Sequence, residues 1–453
     1  MAKAKSNSKK ITLEESLVPV EEQPYEVPEN WCWVKHNSIL DISGGSQPAK
    51  SHFITEPREG YTQLYQTRDY GEHPIPVYIP NKYATKTTCE GDILLARYGG
   101  SLGKVFRAHD GAYNVALTKV IKIYPELIDD EFLYKYYLSQ FYQNFCIKAS
   151  NGRSAQAGFN RDDMNSLPFP LPPLAEQKRI VDQIESLFSK LDEANEKAQE
   201  VIDRIETNIE AILYNAFSGK LTQYWRKENG VDYNWEKSTL SKIVSGLKYG
   251  SSEKSDYNNN GTPVLRIPNI GEGVIDFSDL KYMQGELENS SHEVFENDIL
   301  IIRSNGSRDL VGKCAIVPAL ERRFAYASFL IRIKASDKVL PNYLVRYINS
   351  SMARGQLFAK AKSSSGIHNI NSKELGSIRI DVPTIEEQTE ILKIIEPLIK
   401  KELDVKDITS HMIENIAELK KSILAKAFRG ELGTNVSLEE SSIELLKKTI
   451  EEG

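Results

Sequence analysis

Apolar and polar positions alternate in two ways along this chain. Residues 172–217 hold a seam of Ile180, Ile184, Leu187, Leu191, Ala194, Ala198, Val201 and Ile205, spaced by four and three in turn. That spacing has a period of 3.5 and predicts a long helix with a partner. Ile209, Ile212 and Ala216 follow after an extra step of four, as at a stutter. Residues 383–428 repeat the pattern with Ile391, Ile395, Leu398, Val405, Met412, Ile416, Leu419 and Ile423, with Glu402 and Thr409 as polar interruptions. Proline precedes each helix and glycine follows it, and Pro397 predicts a bend near the start of the second. About 40 residues at ~1.5 Å each make a rod of roughly 60 Å.

The two helices are copies of one text. Pro172, Glu176, Gln177, Ile180, Ala216, Phe217 and Gly219 return without a gap as Pro383, Glu387, Gln388, Ile391, Ala427, Phe428 and Gly430. Two matching seams in one chain supply each other with a partner. The plainer alternative is a helical spacer inside a larger enzyme.

Elsewhere the pattern changes to short runs bounded by turn residues. Residues 61–67, 76–79, 92–97 and 115–123 read as strands, and 131–148 as a helix. A second segment from Tyr233 echoes the first. Gly91-Asp92-Ile93-Leu94 answers to Asn297-Asp298-Ile299-Leu300, Arg97 to Arg303, Ser101 to Ser307, and Gly103-Lys104 to Gly312-Lys313. Between these anchors the segments differ freely, as expected of two recognition modules with different targets. Residues 11–28 read as an arm that packs on something. Residues 434–453, with Leu438, Ile443, Leu446 and Ile450, read as a short amphipathic helix, with a frayed tail as the alternative.

The chain of 453 residues suits two or three domains. No run of 18 apolar residues and no apolar leader is present, so neither a membrane span nor export is expected. The four cysteines lack Cys-x-x-Cys pairing and read as reduced cytosolic thiols. The net charge of −6 argues against nucleic acid until it is divided. Residues 1–170 sum to −1, 171–222 to −4, 223–381 to +4 and 382–453 to −5. The acidity lies on the helices and tail, and the globular segments are neutral to basic.

No catalytic constellation holds up. The Gly-Lys pairs lack the spacing and following Ser or Thr of a phosphate loop, and read as hairpins after a strand. Binding chemistry remains. The loops holding Ser46 and Gln47, and Lys248, Tyr249 and Ser251, offer donors on small-residue backbones. Arg97 and Arg303 offer forked contacts to guanine or phosphate, with an ion pair to Asp or Glu as the alternative. Ser101 and Ser307 lie in the adjoining turns. Arg153, Ser154 and Gln156, and Lys362, Ser364 and His368, precede the two rods, where an ordinary surface loop is the alternative. Trp31, Trp33 and Trp235 read as core.

The repeated Pro-Pro-Leu-Ala-Glu-Gln (172–177) and Pro-Thr-Ile-Glu-Glu-Gln (383–388), the Ala-Phe-x-Gly-x-Leu ends and the Trp31 and Trp235 starts resemble the specificity subunit of type I restriction-modification enzymes. The resemblance covers roughly residues 31–432. It implies an α+β fold with two similar target-recognition domains alternating with two long helices that pair as an antiparallel coiled coil. The divisions are then an arm (1–28), a first recognition domain (29–171), a first spacer (172–222), a second recognition domain (223–382), a second spacer (383–433) and a tail (434–453). It further implies a non-catalytic cytoplasmic subunit that reads a bipartite, asymmetric double-stranded DNA site. Two modification subunits and the restriction subunits would be its partners. No cofactor would bind this chain; S-adenosylmethionine, ATP and Mg would serve the partner subunits. The rival reading is a non-catalytic scaffold whose two domains bind protein.

Overall fold

The computed structural model describes residues 11–151, 158–165, 167–284, 287, 290–360, 362–364 and 366–452. It divides into two compact units, one of Met1–Lys197 with Met412–Gly453, the other of Ala198–His411. The long helices, Leu174–Phe217 and Ile385–Phe428, each give one end to each unit.

In the first unit, the buried run Ile93–Ala96 lies between Leu117–Lys122 and Val105–Arg107, with Leu40–Gly44 on the far side of Leu117–Lys122. All three pairings are antiparallel. A second four-stranded sheet is built on Tyr61–Tyr65 and Gly111–Tyr113, which run parallel. A two-stranded ribbon pairs Cys32–Lys35 with Pro168–Leu171, so the module closes where the first long helix begins. The expected helix over 131–148 is two helices, Asp130–Leu138 and Gln140–Asn151. Ser139 adopts an extended backbone, and its buried hydroxyl accepts the Tyr142 N–H, so a serine cap stops one helix and starts the next. The second module breaks likewise at Ser350, between Pro341–Asn349 and Ser351–Lys360.

The arm and tail both belong to this unit. Leu13, Leu17 and Val27 pack against its core, and the Tyr25 hydroxyl donates to the Phe428 carbonyl at 3.2 Å. The tail helix spans Ser442–Glu452 and buries Leu446 and Ile450, while Leu438 lies outside it, exposed.

The second unit repeats the plan with two five-stranded sheets. One orders Val244–Tyr249, Leu330–Ala335, Ile299–Ile302, Cys314–Ile316 and Gly273–Val274. The anchors align in space as in sequence. Asp92 accepts the Cys89 N–H and pairs with Lys119 at 2.8 Å; Asp298 accepts the Phe295 N–H and pairs with Arg332 at 3.5 Å. Both Gly-Lys pairs close hairpins as expected, with Gly103 and Gly312 left-handed at φ +80° and +88°.

Within the first unit the start of the first long helix (Ile180, Ile184) shares a core with the end of the second (Leu424, Ala427, Phe428). Within the second unit the end of the first (Leu213, Ala216, Phe217) shares a core with the start of the second (Ile391, Ile395, Ile399). The pairing is therefore antiparallel. The seam of the second helix needs correction. Leu398, Val405, Met412 and Leu419 are exposed; Ile416 and the polar interruption Thr409 are buried as the seam placed them, and Ile399 and Leu424 are buried one residue beyond Leu398 and Ile423. Ile391 and Ala427, both fully buried, are separated by a whole number of turns at ~3.6 residues each, whereas a strict seven-residue pattern drifts ~20° per heptad around a straight helix. Val201 is likewise exposed on the first helix. The second helix runs unbroken through Pro397.

The repeated Glu-Gln pair explains why the text repeats. Gln177 accepts the Asp129 N–H at 2.9 Å and donates to the Leu127 and Pro172 carbonyls. Gln388 accepts the Leu340 N–H at 2.8 Å and donates to Lys338 and Pro383. Trp31 Nε1 donates to Glu176 at 2.8 Å and Trp235 Nε1 to Glu387 at 2.9 Å. These buried side chains fasten each helix start to its module and satisfy backbone groups that would otherwise be stranded.

One buried histidine ties stability to pH. His36 lies 2.7 Å from the Tyr137 hydroxyl, and burial holds its imidazole down to about 3. The unfolded chain protonates this ring below about pH 6.5 and the folded chain does not, so His36 costs stability as pH falls through that range. Wild type should lose about 2 kcal/mol more than His36→Gln between pH 7 and pH 5, read by urea unfolding. Equal losses would show that His36 is protonated in the folded state.

Candidate nucleic-acid interface

Both modules hold an arginine in the same backbone frame. The Arg97 N–H donates to the Ala116 carbonyl at 3.0 Å, and its carbonyl accepts the Phe159 N–H at 3.1 Å. Arg303 does the same with Phe329 at 3.0 Å and Ile370 at 2.8 Å. The residue after each of those partners caps a short helix: Asn160 with Asp163 in the first module, Asn371 with Glu374 in the second.

The loop beside each arginine is also fixed in the same way. Ser46 N–H donates to the Tyr113 carbonyl at 3.1 Å, and Ser251 N–H to that of Tyr326 at 2.8 Å. The Tyr113 hydroxyl donates to the Ser43 carbonyl, and that of Tyr326 reaches the carbonyls of Lys248 and Tyr249. Burial pushes the Tyr326 phenol up to about 12, so it stays a donor at all ordinary pH. Gly45 and Gly250 sit on these tyrosine turns so closely that a Cβ would lie 2.0 Å from the Asn114 oxygen and 2.3 Å from the Tyr326 oxygen. Either Gly→Ala change is expected to cost about 1–3 kcal/mol by overpacking and to displace the loop. An unchanged thermal midpoint would count against this packing.

The surroundings of the two arginines differ. Arg97 opens onto a cleft of about 360 Å3 lined by Asp41, Ser43, Gly44, Lys86, Thr118 and Arg161, among others. Lys86 Nζ donates to Ser43 Oγ at 3.1 Å, and Arg161 pairs with Asp41. The Tyr98 ring lies 5.4 Å from the Arg97 guanidinium carbon, on the neighbouring residue, whereas Arg303 is covered from across the sheet by the Tyr249 ring at 4.6 Å and donates to Asn369 Oδ1 at 3.2 Å. Tyr249 accepts the Ser372 N–H at 2.9 Å, so the ring itself is held. Among the described residues neither arginine is in an ion pair, and the Nε of each is buried without a partner. The ion-pair alternative therefore fails for both.

The remaining candidates fall as follows. Gln47 and Lys248 are exposed, and Ser46 is half-buried. Ser251 is buried, and its hydroxyl accepts the Glu253 N–H at 3.1 Å, so it closes a turn and faces no partner. Ser101 ends a short turn whose carbonyl accepts the Lys104 N–H. Ser307 is exposed, with its N–H on Asn305 Oδ1 at 2.7 Å. His368 lies on Ile367–Asn369, between Ser304–Asn305 and Lys362–Ser364 in a three-stranded ribbon, so Lys362, Ser364 and His368 share that ribbon with the strand that follows Arg303. Arg153, Ser154 and Gln156 lie outside the described residues. Sequence reasoning missed Lys86, Arg161, Asn369 and Ser372. The matching caps at Asn160 and Asn371 would have flagged Arg161 and Ser372, each one residue later. Trp31, Trp33 and Trp235 are core, as expected.

Two copies of one scaffold, each presenting a fastened loop and an arginine free of carboxylates, and joined by antiparallel helices, define a two-module recognition protein. The profile of the type I restriction modification DNA specificity domain (Methylase_S) matches residues 28–204 and 233–414. The chain belongs to that family. It is 28% identical to the type I restriction enzyme EcoKI specificity subunit of Escherichia coli K12, over 93% of this chain and 95% of that protein. It is 25% identical to the StySPI specificity subunit of Salmonella potsdam, over 90% of each. A chain from a solved structure of a type I R-M system shares the fold, with a TM-score of 0.67 at 21% identity, over 90% of this chain and all of that one. The matches favour the DNA-specificity reading over the protein-binding scaffold. Among the described residues no helix is long and apolar enough to cross a membrane.

Proposed function

We propose that this chain is the non-catalytic specificity subunit of a cytoplasmic type I restriction-modification complex. Each module reads one half of a bipartite, asymmetric DNA site. The paired helices set the unread spacer and dock the modification and restriction subunits, which supply S-adenosylmethionine, ATP and Mg chemistry. The observation that carries this is the duplicated arginine frame, kept in backbone and varied in surroundings, within two copies of a DNA specificity domain. Lysine and arginine contacts to phosphate would set position and make affinity fall with salt. Base-edge contacts would set sequence. Joining two moderate half-site affinities gives one strong bipartite preference through effective concentration.

Mapping methylated adenine genome-wide, with and without this gene, tests the proposal. Deletion should erase one bipartite motif with a fixed gap. An unchanged methylome in a strain with an active modification subunit would refute it. Seven residues inserted in both long helices should lengthen the preferred gap by up to about three base pairs and leave the half-sites unchanged. Altered half-sites at the old gap would contradict the spacer role.

A further inference from the structure

Register places Gly44 and Tyr249 at the same position of the two modules. Gly44 pairs with Thr118, two residues after Ala116; Tyr249 pairs with Ile331, two residues after Phe329. Both precede the glycine that sits on a tyrosine turn. In the second module the tyrosine ring fills the space over Arg303 and is tied to Ser372. In the first module that space is open, and Arg161 stands where the second has Ser372.

We propose that the cleft over Arg97 holds a backbone phosphate of the bound DNA, and that glycine at position 44 is what leaves it open. This rests on the DNA-reading function proposed above. Three cations, Lys86, Arg97 and Arg161, line the cleft against one carboxylate, Asp41, which Arg161 already engages. Among the described residues Arg97 and Lys86 have no carboxylate partner, and Thr118 Oγ1 is buried without a hydrogen bond. Asn160 Oδ1 is occupied by the Asp163 N–H. The groups left over are donors and positive charge, the complement of a phosphodiester. The second module closes the equivalent site and fixes its arginine between the Tyr249 ring, Asn369 Oδ1 and the Ser328 carbonyl. One scaffold thus uses one arginine for anchoring in the first half and for reading in the second.

The test uses the complex of this chain with its modification subunits and a duplex bearing the motif that depends on this gene. Gly44→Tyr copies the second module. The Gly44 backbone is extended, and a Cβ there meets only the tip of Arg97, at 3.3 Å, so the chain accommodates it. Gly44→Tyr is expected to lower the slope of log affinity against log salt by ~0.9, the loss of one phosphate contact. Arg97→Gln should do the same, and the two together no more than either. Among duplexes with single phosphates neutralised as methylphosphonates, one in the first half-site should weaken wild type and leave Gly44→Tyr unaffected. An unchanged slope, or a changed base preference at constant slope, would overturn the phosphate site while the DNA-reading function stands. Wild type with no salt-dependent preference for the motif would overturn both. If Gly44→Tyr does not assemble, Arg97→Gln and the phosphate scan decide alone.

Discussion

Replacing Glu387 with alanine is expected to destabilise the chain by about 3–5 kcal/mol, because it strands a buried cation. Arg226 is buried and pairs with Glu387, which also accepts from Trp235 Nε1 and from Thr222 Oγ1 at 2.6 Å. Once the carboxylate is gone Arg226 keeps the Thr222 hydroxyl, the Gly219 carbonyl and the face of the Tyr233 ring at 4.8 Å, none of which carries a negative charge. The matching carboxylate of the other unit makes the control. Glu176 accepts from Trp31 and from Asn435 Nδ2 at 2.8 Å, but no buried arginine depends on it. Burial holds its carboxyl above the usual range, so losing its charge costs less. Glu176→Ala should therefore cost about 1–3 kcal/mol, the penalty of unsatisfied donors. Urea unfolding of the complete chain compares the two. The double change Glu387→Leu with Arg226→Met should recover much of the loss, since an apolar pair leaves no charge unpaired. Equal costs at Glu176 and Glu387, or no recovery in the double variant, would refute this account.

Arg303→Lys should keep the salt dependence of DNA binding and lose sequence discrimination in the second half-site. Lysine keeps the charge but not the planar fork. Tyr249 and Asn369 hold that fork in one orientation, which lowers the entropy lost when it meets a base edge. The expected loss is about 1–3 kcal/mol between the preferred and a substituted base pair, or roughly 5- to 150-fold. Binding of the complex to duplexes altered at single base pairs measures it. Tyr249→Ala should give a smaller loss of the same kind. Retained discrimination with a reduced salt slope would make Arg303 a phosphate contact instead.

The strands around Ile93–Ala96 and Ile299–Ile302 were legible because unbroken apolar runs of that length have few other uses. The break at Ser139 was not, because a serine inside an amphipathic run becomes a cap only when its hydroxyl is buried beside a free N–H. Arg97 and Arg303 could be matched by position alone. Lys86 could not be placed with them, since it joins the cleft from just before Thr87–Thr88, an edge strand of the other sheet of the first module.

The sequence by itself determined the repeat, the two modules, the helix starts at Glu176 and Glu387 and the equivalence of the two arginines, since each is written in residue identity at fixed spacing. Only the tertiary structure decided which face of the second helix turns inward. Packing against the first helix follows the true pitch of an α-helix, and that buries Ile399 and Leu424 where a strict heptad names Leu398 and Ile423. It also decided that Arg97 opens onto a cleft while the Tyr249 ring covers Arg303. That difference depends on what stands across the sheet at positions 44 and 249, which no spacing along the chain records.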